Sequence, residues 1–148
     1  MSKPIVYWAA SLHEKHEQER NTREVTKLRA AGFDVYLPQE HGVWEDMVEE
    51  QRRKDPSAPE IELIQRVRKS LYEEDRRAID ECDYVVAYVD RHPSEGTLWE
   101  MGYAVGIGVP VILVNACKWN FNLMPEFGSI VVQTTEQAVH LLLTASLE

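Results

Sequence analysis

The chain has few cysteines, no long apolar run and a deficit of positive charge. Its two cysteines, Cys82 and Cys117, lack the Cys-x-x-Cys spacing of a zinc or redox site. No stretch of about 18 apolar residues is present, and the start MSKPIVYW lacks a signal-peptide pattern. We therefore expect a cytoplasmic protein with reduced thiols, and the composition predicts neither a disulfide framework nor a metal site.

The charge balance also limits the partners. A formal net charge of −9 at pH 7 leaves the chain without the basic surface that nucleic-acid polymers and anionic membranes require. A local pocket can still oppose the overall sign, so single nucleotides are not excluded. At this length one domain can bury a full core, and we expect residues 1–148 to form a single domain. The last two residues, Leu147 and Glu148, are either native or an expression remnant.

Five short runs of β-branched and aromatic residues alternate with helical patterns. The runs are PIVYW (4–8), FDVYL (33–37), DYVVAYVD (83–90), PVILVN (110–115) and SIVVQ (129–133). Strands separated by helices predict a parallel sheet that is covered on both faces. We expect an α/β flavodoxin-like, doubly wound fold with strand order 2-1-3-4-5, in which ligands bind at the carboxyl ends of the strands.

Two segments stand outside this alternation. Residues 41–60 are highly charged and contain Pro56 and Pro59, so they do not belong to the sheet. We predict there a helical excursion with a short helix from Trp44 to Lys54, followed by a linker. Residues 116–128, ACKWNFNLMPEFG, are predicted to form a loop.

The segment EGTLWEMGYA (95–104) allows two interpretations of Glu100. Thr97 and Glu100 have the T-x-x-E spacing of a capping box, in which both side chains satisfy backbone amides of the first helical turn. Alternatively, Glu100 lies at the ligand-binding edge of the sheet and does chemistry, with its carboxylate kept ionised by the helix N-terminus. Gly102 and Gly106 would then let the helix pack closely against its neighbours. Spacing alone favours the cap but leaves both interpretations open.

A family resemblance favours the second interpretation. Residues 88–104, YVDRHPSEGTLWEMGYA, and the following GVPVILV resemble the signature of the nucleoside 2-deoxyribosyltransferase family, whose motif G-T-x-x-E-[LIM]-G-Y-A carries a nucleophilic glutamate. Tyr7 and Asp75 match a tyrosine at the end of the family's first strand and an aspartate before its third. The resemblance covers nearly the whole chain. It implies an enzyme without a cofactor whose partners are a deoxynucleoside or deoxynucleotide and a free nucleobase.

The resemblance also implies a role for each of these residues. Base exchange on a deoxyribose with retention requires a carboxylate that attacks the anomeric carbon and a group that protonates the departing base. Glu100 would be the nucleophile, Asp75 the general acid, and Tyr7 would hold the Glu100 carboxylate. Taken alone, Asp75 in EEDRR is typical of a solvated helix face, and Tyr7 is typical of a half-buried strand aromatic.

Further candidate substrate contacts surround this set. They are Gln39, Asp90, Ser94, Gly96, Asn122 and Met124. Gln39 follows the second strand, where it could touch a base edge, although turn polarity explains it equally well. Asn122 and Met124 resemble a segment that some family members contribute to a neighbouring subunit's pocket. Together with the apolar stretch KWNFNLMPEF (118–127), this implies a homo-oligomer built from two-fold dimers, with a hexamer among the candidate forms.

Ser94 keeps a second function open. Many of the transferases have an aspartate two residues before the motif glycine, whereas the P-S-x-G arrangement here resembles the related 2-deoxynucleoside 5-phosphate N-hydrolases. A serine hydroxyl can donate to a phosphate that an aspartate would repel. Against this, the first loop AASLHEKHEQER lacks the glycine- and arginine-rich character of a phosphate cradle. A third alternative is a nucleotide sensor without catalysis, because the fold alone does not imply an enzyme.

Overall fold

The computed structural model describes residues 3–145, in which five strands form one parallel sheet. The strands are β1 (Ile5–Ala9), β2 (Asp34–Tyr36), β3 (Tyr84–Val89), β4 (Val111–Asn115) and β5 (Ile130–Val132). Their order is β2-β1-β3-β4-β5, and every neighbouring pair is parallel. The predicted flavodoxin-like sheet is therefore confirmed. Leu147 and Glu148 lie outside the described residues.

Helices connect and cover these strands. They are α1 (Lys15–Ala30), α2 (Trp44–Lys54), α3 (Glu60–Glu81), α4 (Glu95–Gly106), α5 (Leu123–Phe127) and α6 (Thr135–Ala145), with a 3-10 turn at Pro38–Glu40. The predicted helix α2 has the bounds expected from the sequence. Within residues 3–145, no helix combines the length and the apolar character needed to cross a membrane.

Side-chain alternation along the strands divides the core between the two faces of the sheet. Val6 and Trp8 of β1 pack in the cluster that includes the buried residues of α1 and α6. Tyr7, between them, points to the opposite face and packs in the cluster that includes Ile79 of α3 and Met101 of α4. The sequence alternation of β1 thus buries the Tyr7 side chain beside the two helices that carry Asp75 and Glu100.

The charged segment 41–60 forms α2 and the turn that leads into α3. Val48 of α2 is buried, as are Leu63 and Val67 in the first half of α3, and none of the three belongs to the two clusters on the sheet. Arg52 of α2 forms an ion pair with Glu60 of α3 at 3.0 Å. Such exposed pairs contribute about 0–1 kcal/mol, so the buried aliphatic side chains mainly hold this hairpin of helices together.

The start of α4 differs from the predicted capping box. The helix begins at Glu95, and its N-cap is Ser94, whose Oγ accepts a hydrogen bond from the Thr97 amide at 3.2 Å. Ser94 lies three residues before Thr97, which is the spacing at which an N-cap side chain accepts a hydrogen bond from a first-turn amide. Thr97 therefore lies inside the helix and not at its start. The prediction of Thr97 as the cap is wrong, and the Glu100 side chain is not used in capping.

The two glycines of α4 also differ from expectation. A Cβ added to Gly102 or Gly106 would meet no atom within 4 Å, so neither glycine permits a close contact inside this chain. The buried side of the helix is formed instead by Thr97, Met101 and Ala104. The expectation that the glycines let α4 pack closely against its neighbours is wrong for the elements of this chain, because both glycines lie on the outer side of the helix.

The predicted loop 116–128 contains the short helix α5. Asn122 caps it, because its Oδ1 accepts a hydrogen bond from the Met124 amide at 3.2 Å. Pro125 lies in the first turn, where a missing amide proton costs no helical hydrogen bond. The prediction of a loop throughout 116–128 is therefore wrong over Leu123–Phe127. Pro125 suggested a loop because proline breaks the interior of a helix, but it is tolerated in a first turn.

Candidate active site

The loop after β1, the middle of α3 and the start of α4 enclose a cavity of about 410 Å³. Its lining comprises Ala10, Ser11, Leu12, His13, Pro38, Tyr72, Asp75, Arg76, Ile79, Ser94, Gly96, Thr97, Trp99 and Glu100. The cavity lies at the carboxyl ends of β1 and β3, where a doubly wound sheet binds its ligands. Four of the residues singled out from the sequence, Asp75, Ser94, Gly96 and Glu100, are brought together in it.

The carboxyl group of Glu100 is hydrogen-bonded to the buried side chain of Tyr7. The hydroxyl of Tyr7 donates a hydrogen bond to Oε2 of Glu100, and the Tyr7 side chain is fully buried. Burial raises the pKa of Glu100 to about 7, the Tyr7 hydrogen bond opposes this rise, and the Asp75 carboxylate adds to it. The carboxylate therefore has a fixed position and a pKa near neutrality.

The phenol of Tyr7 is a permanent donor in this arrangement. Burial raises its pKa far above the ordinary value, and the carboxylates of Glu100 and Asp75 raise it further. A phenol with so high a pKa keeps its proton at every pH at which the two carboxyl groups titrate. The hydrogen bond to Glu100 is consequently available throughout that range.

Asp75 enters the cavity from α3. Burial raises its pKa to about 6, against a hydrogen bond from the Tyr36 hydroxyl that lowers it. Glu74 raises the pKa further and His41 lowers it. The Asp75 carboxylate raises the pKa of Glu100, so the two carboxyl groups interact, and between their pKa values of about 6 and about 7 the pair holds one proton. Because the pKa of Asp75 is the lower of the two, this proton lies mainly on Glu100, and the form with an ionised Glu100 and a protonated Asp75 is the minor one. One ionised and one protonated carboxyl group are what a retaining glycosidic mechanism needs.

Ser94 and Gly96 present the start of α4 to the cavity. The Ser94 Oγ lies 2.7 Å from the Thr97 Oγ1, so this hydroxyl already takes part in a pair as well as in the cap. A Cβ added to Gly96 would meet nothing within 4 Å, so the backbone there is open. First-turn amides lack helical partners and carry the positive end of the helix dipole, which makes this edge suitable for polar substrate groups.

Gln39 and Asp90 are not brought to the cavity. The Gln39 amide nitrogen donates to the carbonyl of Gln18 at 2.8 Å, and its oxygen accepts from Asn21 at 3.0 Å. Asp90 forms an ion pair with the buried Arg20 at 2.7 Å. Both side chains therefore connect α1 to the loops at the carboxyl edge of the sheet. Their polar groups are already bonded to residues of α1 and do not face the cavity.

Asn122 and Met124 lie on a second, apolar groove. It has a volume of about 530 Å³ and is lined by residues of α4 and α5: Leu98, Met101, Gly102, Val105, Asn122, Leu123, Met124, Pro125, Phe127 and Gly128. Neither Asn122 nor Met124 lines the first cavity of this chain. Met124 is 73 % exposed and Phe127 is 83 % exposed, so the groove presents large apolar side chains to solvent.

Sequence reasoning missed Tyr36 and Tyr72. Tyr36 contacts Asp75 and is the register partner of Tyr7 on the adjacent strand. Two tyrosines at matching positions near the ends of adjacent predicted strands were the signal that could have revealed it. Tyr72 lies at the rim of the cavity, where its ring packs edge-to-face against that of Trp99 with the ring centroids 5.6 Å apart. Its place in a charged helix gave no comparable signal.

The fold and the pair of carboxyl groups define an α/β enzyme that acts on N-glycosidic bonds. The chain belongs to the nucleoside 2-deoxyribosyltransferase family, whose model matches residues 6–138. No curated protein matches the chain.

Solved structures share this fold at low sequence identity. The 2-deoxyribosyltransferase of Bacillus psychrosaccharolyticus is 19% identical with a TM-score of 0.70, covering 91% of this chain and 90% of its own. A conserved protein from Enterococcus faecalis V583 is 20% identical with a TM-score of 0.69, covering 94% and 96%. The CMP N-glycosidase of Clostridium botulinum is 20% identical with a TM-score of 0.58, covering 93% and 97%. At these identities the likeness shows the fold.

Proposed function

We propose that this protein exchanges the base of 2-deoxyribonucleosides through a covalent deoxyribosyl intermediate on Glu100. The observation that supports this most directly is the Glu100 carboxylate, fixed by the buried Tyr7 in a cavity that it shares with Asp75. The substrates are a deoxynucleoside and a free nucleobase, and the reaction uses no cofactor. The cytoplasmic location expected from the sequence stays a prediction.

The proposed reaction has two steps, formation of the covalent intermediate and its transfer to the second base. The ionised Glu100 attacks the anomeric carbon while the bond from that carbon to the base nitrogen breaks, and the departing base receives the proton of Asp75. The incoming base then returns a proton to Asp75, attacks the same carbon and releases Glu100. Two inversions give net retention. The missing 2-hydroxyl of the sugar eases formation of the oxocarbenium-like transition state, because an electron-withdrawing group is absent.

Hydrolysis of a 2-deoxynucleoside 5-monophosphate is the second candidate. Ser94 and Gly96 favour it, since both line the cavity at the positive end of α4. The N-terminus of α1, on the other side of the first loop, opposes it. There the Glu17 carboxylate accepts a hydrogen bond from the Glu14 amide at 2.8 Å, so this helix end is already occupied by acidic side chains. For this reason we propose the transferase as the first candidate.

One pair of assays separates the candidate functions. The protein is incubated with a deoxynucleoside and a second free base, and in parallel with a deoxynucleoside monophosphate in water alone, and both mixtures are resolved by chromatography. A new nucleoside in the first mixture supports the transferase. Free base in the second mixture without exchange in the first supports the hydrolase. Binding without either product supports a nucleotide sensor and contradicts the proposed function.

We further propose that the protein assembles as a homo-oligomer built from two-fold dimers, with a hexamer among its candidate forms. The apolar groove between α4 and α5 supports this, because a second copy would cover its exposed side chains. The open face at Gly102 would let a helix of the partner approach the α4 backbone closely. In such an assembly Asn122 and Met124 would border the cavity of the neighbouring subunit.

A further inference from the structure

Tyr36 joins the two carboxyl groups of the cavity to a stack of aromatic rings. Its ring is stacked on that of Tyr7, with centroids 5.5 Å apart and planes 11° apart. It is also stacked on the imidazole of His41, with centroids 4.0 Å apart and planes 10° apart. The Tyr36 hydroxyl donates to Oδ1 of Asp75 at 3.3 Å, while the Tyr7 hydroxyl donates to Glu100. Each catalytic carboxyl group thus has its own tyrosine.

We propose that Tyr36 is a positioning residue for Asp75, and that its hydrogen bond to Oδ1 leaves Oδ2 as the oxygen that exchanges a proton with the nucleobase. This inference rests on the proposed function of the same cavity. The distance of 3.3 Å is long for a hydroxyl donor, and such contacts in unliganded sites commonly shorten when substrate binds. The stacking on Tyr7 and His41 fixes the direction from which the hydroxyl approaches.

The contact serves proton transfer in a specific way. When the bond between the sugar and the base breaks, its electron pair goes to the base, and the Oδ2–H bond of Asp75 breaks to protonate a base nitrogen. The negative charge then develops on the Asp75 carboxylate, and a hydrogen bond to Oδ1 stabilises that charge. Tyr36 keeps its own proton, because burial and the carboxylates of Asp75 and Glu74 raise its pKa. It therefore makes Asp75 a stronger acid.

Several charged and titratable groups surround Asp75, and the pH test must take account of them. They come from β1, β2, the segment after the 3-10 turn, α3 itself and α4: Tyr7, Tyr36, His41, Glu74, Arg76 and Glu100. His41 also lies 3.7 Å from Glu74. Among these groups, only Tyr36 is a hydroxyl donor to Asp75. A variant that removes this hydroxyl alone therefore isolates its contribution.

The decisive measurement is the titration of Asp75 by NMR of protein labelled with ¹³C in the aspartate carboxyl groups. The Asp75 signal is assigned by its loss in Asp75→Asn. In Tyr36→Phe we expect the apparent pKa of Asp75 to rise by about half a pH unit, because the donor to its charged form is gone. The matched control is Tyr84→Phe, a half-buried strand tyrosine in the cluster on the opposite face of the sheet, which leaves the titration unchanged.

Kinetics provide the second readout. For base exchange, Tyr36→Phe should lower kcat about three- to tenfold with little change in KM, and the decline of the rate at alkaline pH should move upward with the Asp75 pKa. An Asp75 titration that stays unchanged in folded Tyr36→Phe would overturn the inference. If that variant does not fold, Tyr36→Leu repeats the titration. Absence of exchange and of base release in the wild type refutes the proposed function, while the NMR titration still decides the role of Tyr36.

Discussion

Burial of the Glu100 carboxyl group makes its ionised form cost folding stability, and the hydrogen bond from Tyr7 offsets only part of this cost. The pKa of Glu100 rises from its ordinary 4.5 to about 7, mainly because the group is buried. A carboxyl group with a raised folded-state pKa contributes most to stability below its unfolded pKa, and this contribution is lost as the pH rises through the folded pKa. The proposed nucleophilic role requires the ionised form, so that role and folding stability would oppose each other at this residue.

Glu100→Gln should therefore separate the two effects. We expect base exchange to fall by about three orders of magnitude or more, because the nucleophile is lost. At pH 8 the free energy of unfolding should rise by up to about 3 kcal/mol, and this gain should vanish below about pH 4, where the wild-type group is protonated in both states. Urea unfolding at several pH values measures it.

Glu95→Gln is the matched control for this substitution. Glu95 is an exposed residue in the first turn of the same helix, outside the cavity lining. Its substitution should change the unfolding free energy by only a few tenths of a kcal/mol, through the helix dipole, and should leave exchange intact. Retention of activity within tenfold in Glu100→Gln would contradict the role of Glu100 as the nucleophile.

Asp75→Asn tests the proton donor. Its pKa of about 6 means that the acid form is depleted as the pH rises, so the wild-type rate should decline on the alkaline side. The variant has no proton to lose, and we expect it to lack this decline and to be slower by about 10²- to 10⁴-fold. The loss should be largest for bases that leave poorly without protonation. A wild-type pH profile in Asp75→Asn would indicate a surface role for this carboxyl group.

At the scale of secondary-structure elements, the start of α4 contains the helix cap and also borders the candidate active site. Ser94 caps the helix and also lines the cavity beside Gly96. Ser94→Ala removes the cap and should cost about 1 kcal/mol of stability. Ser94→Asp keeps a good capping residue but places a negative charge where a 5-phosphate would bind. The two variants therefore separate capping from ligand charge.

The expected result follows from the transferase proposal. Ser94→Asp should unfold like the wild type in a thermal melt and should retain deoxynucleoside exchange within about fivefold, since the nucleoside carries no phosphate to repel. Any release of base from a deoxynucleoside monophosphate should fall by at least about tenfold. The opposite outcome, with nucleoside exchange abolished and monophosphate cleavage retained, would exclude a nucleoside as the natural substrate.

Local patterns predicted the elements better than their contacts. The strands, their parallel arrangement and the bounds of α2 follow from short-range periodicity and from the need of parallel strands for crossovers, whereas the order 2-1-3-4-5 was expected as a common order of doubly wound sheets. The choice between Ser94 and Thr97 as the cap of α4 depends on where the preceding loop turns, which periodicity does not contain. The same limit hid α5, whose first turn includes Pro125.

The site shows the same division. Glu100 was predicted from a family motif and Asp75 from its position before the third strand in the same family resemblance, and both residues line one cavity. Gln39 was placed by its position after β2, but its amide is satisfied by side-chain and backbone groups of α1. Partner selection among several nearby polar groups is a property of the tertiary structure. The matching strand positions of Tyr7 and Tyr36 could have indicated that Tyr36 lies near the site, but its choice of Asp75 as hydrogen-bond partner depends on how α3 packs against the sheet.

At the scale of the whole molecule, the apolar groove of α4 and α5 is the feature that a monomer does not explain. Leu123, Met124 and Phe127 are 64 %, 73 % and 83 % exposed, and they lie on one short helix. We expect light scattering to show dimers or larger assemblies at micromolar concentration, and Phe127→Glu to shift them toward monomers. Ile61→Glu is the control, because Ile61 is 71 % exposed but lies on α3 outside the groove. A fully active wild-type monomer would contradict the assembly.

Shared active sites predict complementation between two inactive chains. Glu100→Ala lacks the nucleophile, and Asn122→Asp would place a negative charge at the neighbour's cavity, so each homo-oligomer should be inactive. In a mixed dimer one site combines both defects, while the other pairs an intact Glu100 with an intact Asn122. With random pairing after co-expression, about a quarter of all sites should regain activity. Mixed dimers isolated with two affinity tags that show no exchange would refute shared sites, as would full activity of Asn122→Asp alone.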